Sequence, residues 1–159
     1  MKPRVYIETS VISYLASEPS RDLIVAAHQQ ITRDWWRDDR EQYELFASEL
    51  VVSEAGAGDR AAAEKRLGML KGLELLALTR DVREFAASLV AANVIPRKAV
   101  EDSLHVAAAI VHGMDSLLTW NCAHIANARV VDRVARIADD LGYSCPYVCT
   151  PEQLREPRP

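Results

Sequence analysis

Val100-Glu101-Asp102-Ser103-Leu104-His105-Val106-Ala107-Ala108-Ala109-Ile110-Val111-His112 predicts a helix, and Gly113 after it supplies the stop. Leu117-Leu118-Thr119-Trp120 then predicts a strand that runs into Asn121. A helix that crosses between parallel strands runs antiparallel to them. The Asp102 end of this helix therefore belongs at the carboxyl edge of the sheet, where the strand delivers Asn121.

The rest of the chain repeats that alternation. Upstream, Arg4–Ile7 predicts a strand leading into Glu8, and Asp22–Arg37 a helix with Ser20 as its cap. Tyr43–Ala47 predicts a strand, Glu49–Ala55 helical material, and Arg60–Leu70 a helix stopping at Gly72. Leu73–Leu78 predicts a strand, and Val82–Ala92 a helix that stops before Pro96. Downstream, Val130–Leu141 predicts a helix ended by Gly142, and Tyr147–Cys149 a last short strand. Thr150-Pro151-Glu152-Gln153 has the form of a capping box with proline at the first helical position. Strands alternating with helices imply an α/β domain with a mainly parallel central sheet.

With 159 residues, 49% of them apolar and 26% charged, the chain suits one ordinary globular domain over residues 1–155. The tail Glu156-Pro157-Arg158-Pro159 is expected to fray. A net charge of −4 excludes a nucleic-acid coat or a polybasic membrane binder. Any nucleic acid is held by a local basic rim. Three cysteines, Cys122, Cys145 and Cys149, read as reduced, buried apolar thiols and point to a cytoplasmic address. Val5-Tyr6-Ile7 before Glu8 leaves no signal-peptide core, and no apolar stretch is long enough to span a bilayer.

Ligands of parallel sheets sit outside the carboxyl ends of the strands. Glu8 follows the first strand, Asn121 follows the strand at Leu117–Trp120, and Asp102 opens the helix between. Glu54 follows Leu50-Val51-Val52-Ser53, about one helical turn from the same edge. Carboxylates beside core material are costly unless compensated. Several together repel one another, so without a counter-charge one of them stays protonated. Oxygen ligands with open positions for water suit Mg²⁺ or Mn²⁺. Each residue also has a plain structural role: Glu8 or Asp102 at a helix start, Glu54 as a solvated helix residue, Asn121 in a turn.

In this order, Val5-Tyr6-Ile7-Glu8-Thr9-Ser10, Leu50-Val51-Val52-Ser53-Glu54, Asp102-Ser103-Leu104-His105-Val106-Ala107-Ala108-Ala109 and Leu117-Leu118-Thr119-Trp120-Asn121-Cys122-Ala123-His124-Ile125-Ala126-Asn127 resemble the PIN-domain family. More narrowly they resemble the VapC-like ribonuclease toxins of type II toxin–antitoxin modules, over essentially the whole chain. The resemblance implies a three-layer α/β/α PIN-like domain and a metal-dependent endoribonuclease that uses Mg²⁺, with Mn²⁺ able to substitute. It implies cleavage of RNA phosphodiesters to 5′-phosphate and 3′-hydroxyl ends, a homodimer, and an antitoxin protein that fills the cleft. Glu8, Glu54 and Asp102 take the places of the first three acidic residues, with the metal held by Glu8 and Asp102 and assisted by Glu54. Asn121 stands where many members carry a fourth acid, and Ser10 matches the hydroxyl that often neighbours the first. The chain departs from the family pattern in having Glu8 for the usual Asp, and the amide of Asn121 for a carboxylate.

Thr9, Ser10, His105 and His124 are candidates for substrate contact. His105 lies one turn after Asp102, and its structural alternative is a bond to a backbone carbonyl. His124 and Asn127 share a face with Asn121 if their loop is helical, with Asn127 the expected cap of the next helix. Arg97, Lys98, Arg60, Lys65 and Arg66 are the candidate phosphate contacts. The adjacent Trp35 and Trp36 cannot both face the core of a helix, which leaves one for an interface or a base. Asn121 keeps a second function open, a non-catalytic PIN-like module that binds RNA or protein. A phosphohydrolase with an Asp nucleophile ranks last, because Glu8-Thr9-Ser10 lacks a second carboxylate and the chain has no phosphate-cradling glycine loop.

Overall fold

Five short runs pair into one sheet: β1 (Arg4–Ile7), β2 (Glu44–Ser48), β3 (Glu74–Leu76), β4 (Ser116–Leu118) and β5 (Tyr147–Cys149). The computed structural model describes residues 1–155. The tail expected to fray, residues 156–159, lies outside them. The strand order is β3-β2-β1-β4-β5, and every neighbouring pair is parallel. The central strands are covered on both faces, which is why Val5, Tyr6, Ile7, Leu117 and Leu118 are all fully buried.

Parallel pairing requires a crossover between strands, and among the described residues eight helices supply or flank those crossovers. They are α1 (Thr9–Ala16), α2 (Leu23–Asp38), α3 (Glu49–Ala55), α4 (Arg60–Met69), α5 (Arg80–Ala91), α6 (Val100–Val111), α7 (Ala128–Asp140) and α8 (Pro151–Leu154). Helix α1 packs on α2, α3 and α4, whereas α5 packs on α6 and α7. Right-handed crossovers going outward from β1 in one direction and from β4 in the other place these groups on opposite faces. The result is the three-layer α/β/α architecture expected from the sequence.

Local chemistry moves several boundaries. The cap of α2 is Asp22, not Ser20: its carboxylate accepts from the amides of Ile24 and Val25, both at 3.0 Å. Ser20 stands one step behind, its hydroxyl accepting from the Asp22 amide at 3.1 Å. Asp22→Ala is therefore expected to cost about 1 kcal/mol in urea unfolding. Ser20→Ala should cost less, and the opposite ranking overturns the assignment. Only Glu74–Leu76 of the expected Leu73–Leu78 strand pairs, since β3 is a sheet edge with one neighbour, and Leu75 is exposed. β4 ends at Leu118 rather than Trp120, because the Thr119 and Trp120 groups turn toward Glu8 and Ser10. Gly113 ends α6 with φ +68°, a conformation that suits glycine.

Trp35 is the tryptophan that enters the core, and the Arg40 guanidinium lies 4.2 Å from the Trp36 ring centroid. Of the three thiols only Cys149 is buried. Cys122 is exposed, which corrects the expectation that all three lie inside. Burial pushes the Cys149 thiol up to about 11. Among the described residues no helix is long and apolar enough to cross a membrane.

Candidate active site

The sheet's connections diverge between β1 and β4, and such a switch point opens a crevice at the carboxyl ends of the strands. Glu8 leaves β1 at that point, its amide donating to the Leu118 carbonyl at 3.0 Å. It is also the N-cap of α1. Its Oε2 accepts from the Ser10 amide at 2.9 Å, and its Oε1 accepts from the Ser10 and Thr119 hydroxyls, each at 2.5 Å. Ser10 Oγ in turn accepts from the Trp120 amide at 2.8 Å, and Thr119 Oγ1 from the Asn121 amide at 2.9 Å. The Glu8 carboxylate, 5% exposed, thus ties the ends of β1 and β4 together. Its burial is compensated by three donors and the positive end of α1. Ser10 is turned inward to this carboxylate and does not face open solvent as a bare hydroxyl.

Glu54, in the last turn of α3, is held by a second chain of bonds. Its Oε1 accepts from the Thr9 hydroxyl at 2.7 Å and lies 2.5 Å from His105 Nε2. His105 is 1% exposed, and its Nδ1 lies 2.7 Å from the Tyr6 hydroxyl. Tyr6 meets the Ser48 hydroxyl at 2.8 Å, and Ser48 caps α3 by accepting from the Val51 amide. A carboxylate only accepts, so Nε2 carries a proton and donates to Glu54. With Nδ1 unprotonated, Tyr6 donates to it and Ser48 donates to Tyr6, which satisfies the whole chain. Burial pushes the Tyr6 phenol far up, reinforced by the charges of Glu8 and Glu54, so it stays protonated. His105 therefore plays a structural role, with a phenol and a carboxylate as partners in place of the backbone carbonyl of the sequence reading, and both ring nitrogens are engaged.

Burial raises the Glu54 carboxyl, but the hydrogen bonds from His105 and from the Thr9 hydroxyl bring it below its ordinary 4.5. A carboxyl lowered on folding stabilises the fold above the unfolded-state value and loses that contribution as pH falls through the folded value. The stability difference between the native chain and Glu54→Gln, measured in EDTA, should be full near pH 6 and shrink below pH 4.5. A difference that grows on acidification would falsify the sign.

Asp102 lies in the first turn of α6, with Oδ2 2.9 Å from His124 Nδ1. The His124 amide donates to Asn121 Oδ1 at 3.0 Å, and the Asn121 carbonyl accepts from Ile125 and Ala126. Asn121 thus organises a turn, and residues 122–125 are not helical. The expected shared face of Asn121, His124 and Asn127 does not form. Asn127 does cap α7, accepting from the Arg129 amide at 3.1 Å. One bonded series runs Glu8–Thr119–Asn121–His124–Asp102, and Glu54 joins through Thr9, two residues before Val11 in the same helix as Ser10. Side-chain exposure is 34% at Glu54 and 21% at Asp102, so these two form the open rim above buried Glu8.

Among the described residues, no three His, Cys, Asp or Glu side chains converge tightly enough to make a ready-formed metal site. The donor chemistry nevertheless suits a hard cation. The three acids offer only oxygen, and Glu54 Oε2 and Asp102 Oδ1 have no hydrogen-bond partner among the described residues. Mg²⁺ is commonly held by one or two carboxylates while keeping several waters, and needs no closed protein cage.

The candidate phosphate contacts divide. Arg60 pairs with Glu64, Lys65 pairs with Glu18, and Arg66 donates to the carbonyls of Ala55 and Ala57, closing the end of α3. Arg97 and Lys98 are exposed on the short turn just before α6, without an ion pair among the described residues. A group that the sequence reading passed over also stands here: Trp120, Tyr14 and His28, with the Trp120 and His28 rings stacked at 4.0 Å. The adjacent position of Trp120 and Asn121 was the available signal.

No family model matches the chain, and no curated protein matches it. Among solved structures, the chain is similar to one in the crystal structure of VapBC2 from Rickettsia felis bound to a DNA fragment from their promoter, with a TM-score of 0.58, 14% identity, and coverage of 92% of this chain and 98% of that one. At that identity the likeness is one of fold, and the fold is the PIN-like α/β architecture that the sequence resemblance implied.

Proposed function

We propose that the chain is a metal-dependent endoribonuclease of the VapC-like toxin type, hydrolysing RNA phosphodiester bonds at the Glu8–Glu54–Asp102 edge. The observation that carries this reading is the location of all three acids at the topological switch point, on elements joined by hydrogen bonds. Glu8, Glu54 and Asp102 would hold Mg²⁺, or Mn²⁺ in its place. Such a cation, when bound, neutralises phosphate charge and makes water more acidic. The chain's own residues hold the acids in place and aim them. Ser10 and Thr119 orient Glu8, while Thr9 and His105 leave Glu54 Oε2 free to orient a water molecule. Asn121 and His124 set the rim beside Asp102. Arg97 and Lys98 supply phosphate contacts that position the strand.

The solved neighbour is an assembly of VapBC2 on promoter DNA. By analogy we assign this chain an antitoxin partner that inserts Arg or Lys into the acidic crevice, and a homodimeric, cytoplasmic form. Charge complementarity supports that partner.

The test is cleavage of a panel of single-stranded and structured RNAs in Mg²⁺ or Mn²⁺, with EDTA controls and antitoxin-free protein. Metal-dependent cuts that disappear in Asp102→Asn support the reading, and cuts retained in that variant overturn it. A second reading, a PIN-like module that binds RNA or protein without cutting, draws on one observation: Asn121 Oδ1 is an uncharged oxygen that already accepts from the His124 amide, so it serves the turn in place of a fourth carboxylate. Folded native protein that binds RNA but never cuts it, with either metal, would establish that alternative.

A further inference from the structure

Trp120 sits between Thr119 and Asn121, both bonded into the candidate site, and two helices hold it by residues one turn apart. On α1, Ser10 Oγ accepts from the Trp120 amide, and the Tyr14 ring lies 6.2 Å from the Trp120 ring. On α2, Thr32 Oγ1 accepts from Trp120 Nε1 at 2.8 Å, and the His28 ring stacks on the indole at 4.0 Å and 14°. The i, i+4 spacing puts Ser10 with Tyr14, and His28 with Thr32, on one face of each helix. Tyr14 and His28 are themselves 6.4 Å apart. All three residues are half-buried, Trp120 packing against the core on one side, whereas Trp35, Tyr6 and His105 are closed within it.

We propose that Tyr14, His28 and Trp120 form a stacking platform for one unpaired base of an RNA whose phosphate lies at Glu8 and Asp102. This rests on the ribonuclease reading and adds to it a subsite for one base beside the phosphate. Three features support that occupant. The platform continues directly from the site, since Ser10 bonds both Glu8 and the Trp120 amide. Its rings are fixed by Thr32 and by mutual stacking, so little side-chain freedom is lost on binding. Aromatic faces bind bases of any sequence, provided that the base is not already stacked in a duplex.

The experiment uses the full chain carrying Asp102→Asn, so that RNA is bound without turnover, and oligoribonucleotides with 2-aminopurine at successive positions. Stacking at one position should quench that probe, and His28→Ala should weaken binding about ten-fold. Trp120→Leu should abolish the quenching. Tyr14→Ala should act in the same direction, and it tests the platform if loss of the Thr32 bond unfolds the Trp120 variant. An abasic nucleotide at the quenched position should bind native and His28→Ala proteins equally. In the Asp102-intact chain, the same substitutions should raise KM for single-stranded RNA and leave kcat within about three-fold. Folded variants that bind and quench like the parent overturn the platform alone. An Asp102-intact chain that neither binds nor cuts any RNA overturns the ribonuclease reading and the platform with it.

Discussion

Asp102→Asn is expected to lower RNA cleavage by a factor of about 100 to 1000 or more, the scale of loss when transition-state charge goes unneutralised, because the cation that would neutralise it loses a carboxylate ligand, while the melting temperature stays nearly unchanged. The side chain is 21% exposed and its contact is His124, so an isosteric amide removes charge without opening a cavity. Its oxygen still accepts from His124 if that ring nitrogen carries a proton. Glu8→Gln should behave differently. The Glu8 carboxylate accepts three hydrogen bonds while almost fully buried, and all three partners donate. An amide either turns its NH₂ against the Ser10 amide, donor against donor, or makes the two hydroxyls reverse and leave the protons they now donate without a partner. The expected cost is about 1–3 kcal/mol of stability in addition to lost activity. Cleavage rates and urea unfolding of the two variants separate the roles: the rim acid serves chemistry, whereas the buried acid serves chemistry and the joining of β1 to β4. Equal destabilisation of both would sink that division.

The same contrast explains how far the sequence could be read. The alternation of β-rich and helical runs decides the α/β class, because each parallel strand requires a crossover and each crossover helix leaves a periodic apolar face. Glycine and proline mark the ends, as at Gly113 and before Pro96. The edge location of Glu8, Asp102 and Asn121 follows from chain direction alone. Partners do not follow from it, because hydrogen bonds between residues 8 and 119, or 6 and 105, join positions about a hundred residues apart. From the sequence alone a cation is the counter-charge for the acids, whereas serine, threonine and a helix N-terminus already compensate Glu8 in the folded chain. The three-residue spacing from Asp102 leaves both a site contact and a packed role open to His105. Helix α6 is buried along most of its length, and that turns His105 inward to Tyr6. Trp120 was passed over because its neighbours on α1 and α2 lie far away in sequence. Helix α1 itself lacked a separate prediction, being a short apolar run directly after a strand.

His105→Ala should be among the most destabilising single substitutions in the chain, by about 3–5 kcal/mol. It opens a space in a close-packed interior and leaves the Tyr6 hydroxyl and Glu54 without their partner. That loss is a large fraction of the stability of a domain this size, so the activity of this variant alone says little about the site. Tyr6→Phe is the sharper test. It keeps the ring and its packing, removing only the oxygen that meets His105 Nδ1 and Ser48. Without that oxygen Nδ1 loses its donor and the imidazole loses its second anchor, while the Glu54 carboxylate still requires the proton on Nε2. The expected result is a loss of about 1–3 kcal/mol by urea unfolding, with kcat reduced about ten-fold and KM little changed, because the His105 donor to Glu54 Oε1 is no longer fixed in place. Ring nitrogen NMR should show the His105 proton on Nε2 in both chains, with a broadened Nε2 signal in Tyr6→Phe. If kcat is unaffected while that signal broadens, His105 serves the core alone. If both change together, the buried hydroxyl of β1 sets the aim of a carboxylate on α3 through one imidazole.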